Sequence, residues 1–253
     1  MKNNNNNQWI FLRGLVRGQY HWHHFPSAFK QRFPDSQCYF VDLPGNGFSW
    51  HLTSPDRIEP MVDFVRARLQ GALAPPFNIV ALSLGGMVTL SWCHRFPREI
   101  RSAVIINSSI ANLSRWYERF SLQQITNALR FLVGSAEMKE QAILNMTSTQ
   151  EQSNYVIVQR WAELHRRYPT QLSNALRQLM AASRFKLKSP VEAPVLCVNA
   201  KGDPLVSPRC TEAIAKLLDA KLVTHASAGH DLSLDDPDWL ADVIANWQNR
   251  LSD

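Results

Sequence analysis

Ser83 stands where its neighbours would make a hydroxyl reactive. It follows the apolar run Phe77-Asn78-Ile79-Val80-Ala81-Leu82 and precedes Leu84-Gly85-Gly86-Met87-Val88, which continues in a helical rhythm through Leu90, Ser91 and Trp92. A strand, a sharp turn and a helix in that order hold a side chain in a strained turn at the strand's carboxyl end. Strand and helix nearly touch there, so only small residues fit two positions to either side, and Ala81 and Gly85 meet that need. A hydroxyl is a poor nucleophile at neutral pH and needs a base within hydrogen-bond reach. Capping of the following helix is the competing role for Ser83, but it leaves the small-x-Ser-x-Gly-Gly spacing after a buried strand unexplained.

Such a turn needs a sheet beneath it. Short apolar runs bounded by turn residues occupy 9–13, 38–43, 77–82 and 103–107, and two more occupy 195–199 and 222–225. Each is β-branched or aromatic enough to be buried on both sides, and helical patterns alternate with them. A helix is expected around 211–218. Another starts at Asp236-Pro237-Asp238 and carries Trp239, Leu240, Val243, Ile244, Trp247 and Leu251 on one face. The fold class is therefore α/β, a mostly parallel sheet covered by helices.

Residues 110–186 lack strand patterning. Leu122, Ile125, Leu129 and Val133 make one helical stripe, Tyr155, Val158, Trp161, Ala162 and Leu164 a second, and Leu172, Leu176, Leu179 and Met180 a third, with Pro169 between the last two. A structureless loop of that length is improbable, so 110–186 is expected to be an inserted helical cap, and 1–109 with 187–253 the core.

The 253 residues are 45% hydrophobic and 19% charged, which suits a globular chain and excludes a disordered one. No apolar run approaches the ~20 residues that cross a bilayer, and the short 9–12 run is too brief for a secretory signal. Asn3 to Asn7 form a low-complexity run expected to fray. Cys38, Cys93, Cys197 and Cys210 are far apart without a Cys-x-x-Cys, so a reducing cytoplasm is expected. The formal charge is +6, and ten basic against five acidic residues place most of it within 110–186. Without a reading motif that excess does not predict nucleic-acid binding.

Ala81-x-Ser83-x-Gly85 resembles the Gly-x-Ser-x-Gly elbow of α/β-hydrolases, and Asp42-Leu43-Pro44-Gly45-Asn46-Gly47-Phe48-Ser49 resembles the Asp-x-Pro-Gly-x-Gly-x-Ser loop of those enzymes. The resemblance covers nearly the whole chain and implies the α/β-hydrolase fold with a helical cap. It also implies Asp203, in Asn199-Ala200-Lys201-Gly202-Asp203-Pro204, as catalytic acid and His230, in Ala228-Gly229-His230-Asp231, as base. Asp231, Asp235 and Asp236 are alternative acids. Oxyanion donors would be the backbone N–H groups of Leu84 and of Leu15. The family's His-Gly pair is replaced by Arg13-Gly14, its elbow Gly by Ala81, and Asn46 stands where many relatives have His.

The expected activity is cleavage of a carboxylic ester or thioester through an acyl-enzyme, without cofactor or metal. Acyltransferases, lyases and silent binding modules of this fold remain the alternative. The Ser-Leu-Gly-Gly elbow and basic cap are similar to esterases that cleave pimeloyl methyl ester on acyl carrier protein, so an acidic carrier protein is a candidate partner. Trp22 is expected at the site mouth, and Trp116, Phe120, Trp161 and Trp50 as acyl-pocket candidates. His21, His23 and His24 lack an accompanying carboxylate, so they are read as loop residues, and Asp42 as structural.

Overall fold

A computed structural model describes residues 7–252, so only Asn7 of the asparagine run lies among the described residues. The strands are β1 (Gln8–Leu12), β2 (Gln37–Val41), β3 (Phe77–Leu82), β4 (Ile100–Ile106), β5 (Val195–Ala200) and β6 (Lys221–His225). They form one parallel sheet in the order β2-β1-β3-β4-β5-β6. Helices α1 (Phe25–Arg32), α2 (Ile58–Leu69) and α3 (Leu84–Arg95) connect the first four strands. Between β4 and β5 the described chain forms only helices: α4 (Trp116–Arg119), α5 (Ile125–Val133), α6 (Ala136–Thr147), α7 (Tyr155–Arg167) and α8 (Leu172–Arg184). The chain closes with α9 (Pro208–Leu218), α10 (Leu232–Asp235) and α11 (Pro237–Ser252). No helix among the described residues is long and apolar enough to cross a membrane.

Alternation along the strands divides the core into two layers. Ile10, Leu12, Ile79, Ala81 and Ile105 face the α2 and α3 side with Val62, Val65 and Val88. Phe11, Val80, Leu82, Val104 and Ile106 face the other side, against Phe25 and Phe29 of α1 and Leu240, Ile244 and Trp247 of α11. β1, β3 and β5 are buried along their whole length. β2 and β6 are not, which corrects the expectation that every strand is covered on both sides. These are the two edge strands, and neighbours cover them from one flank alone.

The chain runs from β1 outward to β2 and then returns to place β3 on β1's other side, so the order reverses between β1 and β3. Loops leaving the carboxyl ends of two such strands diverge and leave a crevice, where ligands of open α/β sheets bind. Gly14 and Leu15 leave β1 at this crevice, and Ser83 leaves β3.

Periodicity misplaces one face of the helical insertion. Leu122, Ile125, Leu129 and Val133 are all solvent-exposed, Val133 by 85%. The residues of α5 that line a cavity are Ala128, Phe131 and Leu132, of which Leu132 is also open to solvent. The α7 stripe behaves differently: Val158 and Trp161 pack with Leu144 of α6 and with Leu234.

Candidate active site

Ser83 is the N-cap of α3 with φ 56° and ψ −115°, a conformation that side chains other than glycine adopt rarely and at a cost. Three hydrogen bonds hold it there. Its N–H donates to the Ile106 carbonyl (2.8 Å), and its carbonyl accepts from the Gly86 N–H (2.9 Å) and the Ser108 hydroxyl (2.8 Å). The small residues are explained by contact: a Cβ at Gly85 would lie 2.5 Å from the Leu12 carbonyl oxygen, and one at Gly14 would lie 3.1 Å from the Ser83 Cβ. The elbow thus presses on the end of β1, which brings the loop after β1 beside the serine.

His230 and Asp203, from the loops after β6 and β5, meet through a 2.7 Å contact between His230 Nδ1 and Asp203 Oδ2. The side chains are 4% and 1% exposed, so water does not compete for this pairing. The other carboxylate oxygen, Asp203 Oδ1, accepts the Leu205 and Val206 N–H groups at 2.8 and 2.9 Å. One oxygen is fixed by main chain, leaving the other aimed at the imidazole.

The alternative acids are engaged elsewhere. Asp231 takes two parallel hydrogen bonds from Arg13, at 3.0 and 2.5 Å, and one from Ser233 at 2.7 Å. Burial would raise its pKa, but the Arg13 guanidinium prevails and holds it below the ordinary carboxylate range. Asp235 accepts from the Ser148 hydroxyl and the Gly229 N–H, and Asp236 contacts His225 Nε2 at 3.2 Å.

Ser83 opens on two cavities that share it along with Leu15, Val16, Ile143, Met146 and Leu205. The smaller, about 80 Å³, reaches His230. The larger, about 540 Å³, runs under the insertion between α4, α5, α6 and α8 and is mostly apolar, with Leu84, Phe120, Phe131, Leu176 and Leu179 among its walls. Leu15 and Leu84 thus both border the serine. The Leu84 N–H opens α3 and belongs to the first turn, whose amides have no intrahelical acceptor.

Of the aromatic candidates, Trp116 and Phe120 line the larger cavity. Trp22 and Trp161 do not, which corrects both expectations. Trp22 is 1% exposed and packs edge-on against Phe11 and beside Phe25, under the Arg13 guanidinium. Trp161, also 1% exposed, is in the α6–α7 contact below the Arg17 guanidinium. Trp50 is half-buried and lines neither cavity. His21 is buried beside Arg17, and Asp42 accepts the Gln19 and Phe48 N–H groups, bracing its loop.

Sequence reasoning missed the polar braces around the loop after β1. Arg17 pairs with Glu140 of α6 at 2.6 Å, and the Val16 N–H donates to Gln178 Oε1 of α8 at 3.0 Å. Gln178 Nε2 in turn donates to Asn46 at 2.8 Å. Nothing in the local pattern around Glu140 or Gln178 signals partners more than a hundred residues away.

The sequence profile of the alpha/beta hydrolase family matches residues 9–243. The chain belongs to that family. Among curated proteins, the chain is 29% identical over 198 residues to the pimeloyl-[acyl-carrier protein] methyl ester esterase of Neisseria meningitidis serogroup C, covering 75% of this chain and 74% of that one. An uncharacterized protein of Nostoc sp. is 24% identical over 185 residues, covering 70% and 68%. Among solved structures, the enol-lactonase of Burkholderia xenovorans LB400 superposes with a TM-score of 0.78 over 96% of this chain and 91% of that one, at 16% identity. This α/β hydrolase therefore shares its fold with that enol-lactonase and is similar in sequence to that esterase.

Proposed function

We propose that the chain is a serine hydrolase of carboxylic esters or thioesters, with Ser83 as nucleophile, His230 as base and Asp203 as its orienting acid. The observation that carries this reading is the buried His230–Asp203 contact, with a strained serine on a cavity shared by the imidazole. The Ser83 oxygen bonds to the ester carbonyl carbon while His230 takes its proton. Charge developing on the carbonyl oxygen is met by the N–H groups of Leu15 and Leu84. The carbonyl re-forms as the alcohol or thiol leaves with the proton from His230, and a water activated by the same imidazole then releases the acid.

The 110–186 insertion acts in this reading as a cap that places the acyl group in the larger cavity. The smaller cavity beside His230 receives the leaving group and then water. The exposed cations Arg115, Arg130, Arg160 and Arg167 favour a carrier-bound acyl group, delivered by an acidic carrier protein. The unpaired cysteines suit a reducing cytoplasm. A fluorophosphonate probe tests the central claim: it should label the native chain and fail to label Ser83→Ala. Equal labelling of both would overturn it, and labelling without turnover of any ester would favour the non-hydrolytic alternatives.

A further inference from the structure

Buried or half-buried guanidinium groups near the site usually have a carboxylate: Arg13 has Asp231, and Arg17 has Glu140. Arg119 has none. It lies on α4 and lines the larger cavity, where Nε donates to Ser109 Oγ at 3.2 Å and Nη2 to the Ala182 carbonyl at 2.6 Å. Both partners are neutral, and among the described residues no carboxylate lies within ion-pair distance of it. Burial lowers its pKa from the usual guanidinium value, as expected for a cation that has lost water without gaining an anion.

Its position is held by main chain. The Ser207 N–H donates to the Glu118 carbonyl at 2.7 Å and the Ser121 N–H to the Leu205 carbonyl at 2.9 Å, which fixes α4 against the segment following Asp203. A short relay connects it to the nucleophile: Ser108 bonds the Ser83 carbonyl, and Ser109 bonds Arg119. The cation therefore stands on the β4 side of Ser83, within the cavity assigned to the acyl group.

We propose that Arg119 is a specificity-determining residue that pairs with a carboxylate on the acyl group, so that the substrates are esters of acids bearing a second, free carboxylate. An apolar cavity with one unmatched guanidinium suits an aliphatic chain ending in a single negative charge. A phosphate would bring a second charge with nothing to meet it.

The inference rests on the ester-hydrolase reading for the placement of the acyl group, and binding tests it separately from turnover. Calorimetric titration of Ser83→Ala compares the monoethyl ester of a straight-chain dicarboxylic acid with the diethyl ester of the same acid. The monoester should bind about tenfold or more tightly, as a charge-assisted hydrogen bond warrants. Arg119→Gln in the same background should abolish the difference, and Arg119→Lys, which keeps the charge but not the planar fork, should restore part of it. Equal binding of the two esters, a comparison that needs no Arg119 variant to fold, overturns the proposal. So does a preference that survives Arg119→Gln in protein with a cooperative melt. Binding through Arg119 without hydrolysis by the native chain counts against the hydrolase reading alone, and hydrolysis without a carboxylate preference counts against Arg119 alone.

Discussion

Arg13 and Asp231 lie 218 positions apart in sequence and close a two-pronged, almost fully buried ion pair, with Arg13 Nη2 2.5 Å from Asp231 Oδ2. Arg13 follows β1 and precedes the loop carrying Leu15, while Asp231 follows His230. One contact therefore ties the loop assigned to the oxyanion to the loop assigned to the base. The Arg13-Gly14 pair found in place of the family's His-Gly supplies this tie.

Removing one partner of such a pair leaves a buried charge unmatched. Asp231→Asn should destabilise the fold by about 3 kcal/mol, lowering Tm by roughly 6–12 °C for a domain of this size. Differential scanning calorimetry checks the value, and a shift within 1–2 °C, roughly half a kcal/mol, would mean the pair is solvated in solution.

Acid should act through the same residue. The folded-state pKa of Asp231 lies below its unfolded value, so its contribution is complete above about pH 4 and is lost as pH falls through the folded value. Urea midpoints of the native chain should fall below about pH 4 more steeply than those of Asp231→Asn. Parallel curves would show that the carboxylate contributes nothing.

Asp203 and Asp231 separate by kinetics. Asp203→Asn should lower kcat by about a thousand- to ten-thousand-fold with little change in the melt, because the imidazole loses its orienting partner. Asp231→Asn should show the converse emphasis, mainly a stability loss. Steady-state kinetics alongside thermal melts reads both, and a reversed pattern would reassign the acid.

Ser83 carries backbone strain that glycine would relieve. Ser83→Gly should abolish turnover yet raise stability by up to about 1 kcal/mol, whereas Ser83→Ala should leave stability nearly unchanged. A destabilised Ser83→Gly chain would mean that the hydroxyl makes a structural bond in solution.

Gln178 tests the brace on the loop after β1. Gln178→Leu strips the Val16 N–H of its acceptor in a buried setting, at a cost of about 1–3 kcal/mol. If the brace aligns the Leu15 amide, kcat should drop while KM changes little; an unchanged kcat would assign Gln178 to stability alone.

Local patterning made the sheet and the elbow legible. All six strands appear within a few residues of their expected positions, the four inner ones because a buried parallel strand needs a continuous apolar run. Ala81, Ser83 and Gly85 were readable because contact between strand and helix admits only small side chains. Aromatic destinations were not. Trp22 and Trp161 carry the same local cues as Trp116 and Phe120, yet two serve packing and two line a cavity. Nor could the α5 stripe reveal that its apolar residues face outward, because periodicity reports a face without naming what covers it.

The amino-acid sequence by itself determined the strands, the order of Ser83, Asp203 and His230, and the small residues at the elbow, since each follows from steric and hydrophobic rules acting over a few neighbouring positions. Only the tertiary structure decided which acid meets His230, which cation has a carboxylate and where the cavity lies. Those outcomes depend on side chains brought into hydrogen-bond contact from different segments of the chain: Asp203 to His230 at 2.7 Å, Arg13 to Asp231 at 2.5 and 3.0 Å, and Arg119 of α4 to Ser109 after β4 at 3.2 Å. Charge pairing and cavity shape vary steeply over such distances, and spacing along the chain carries no record of them.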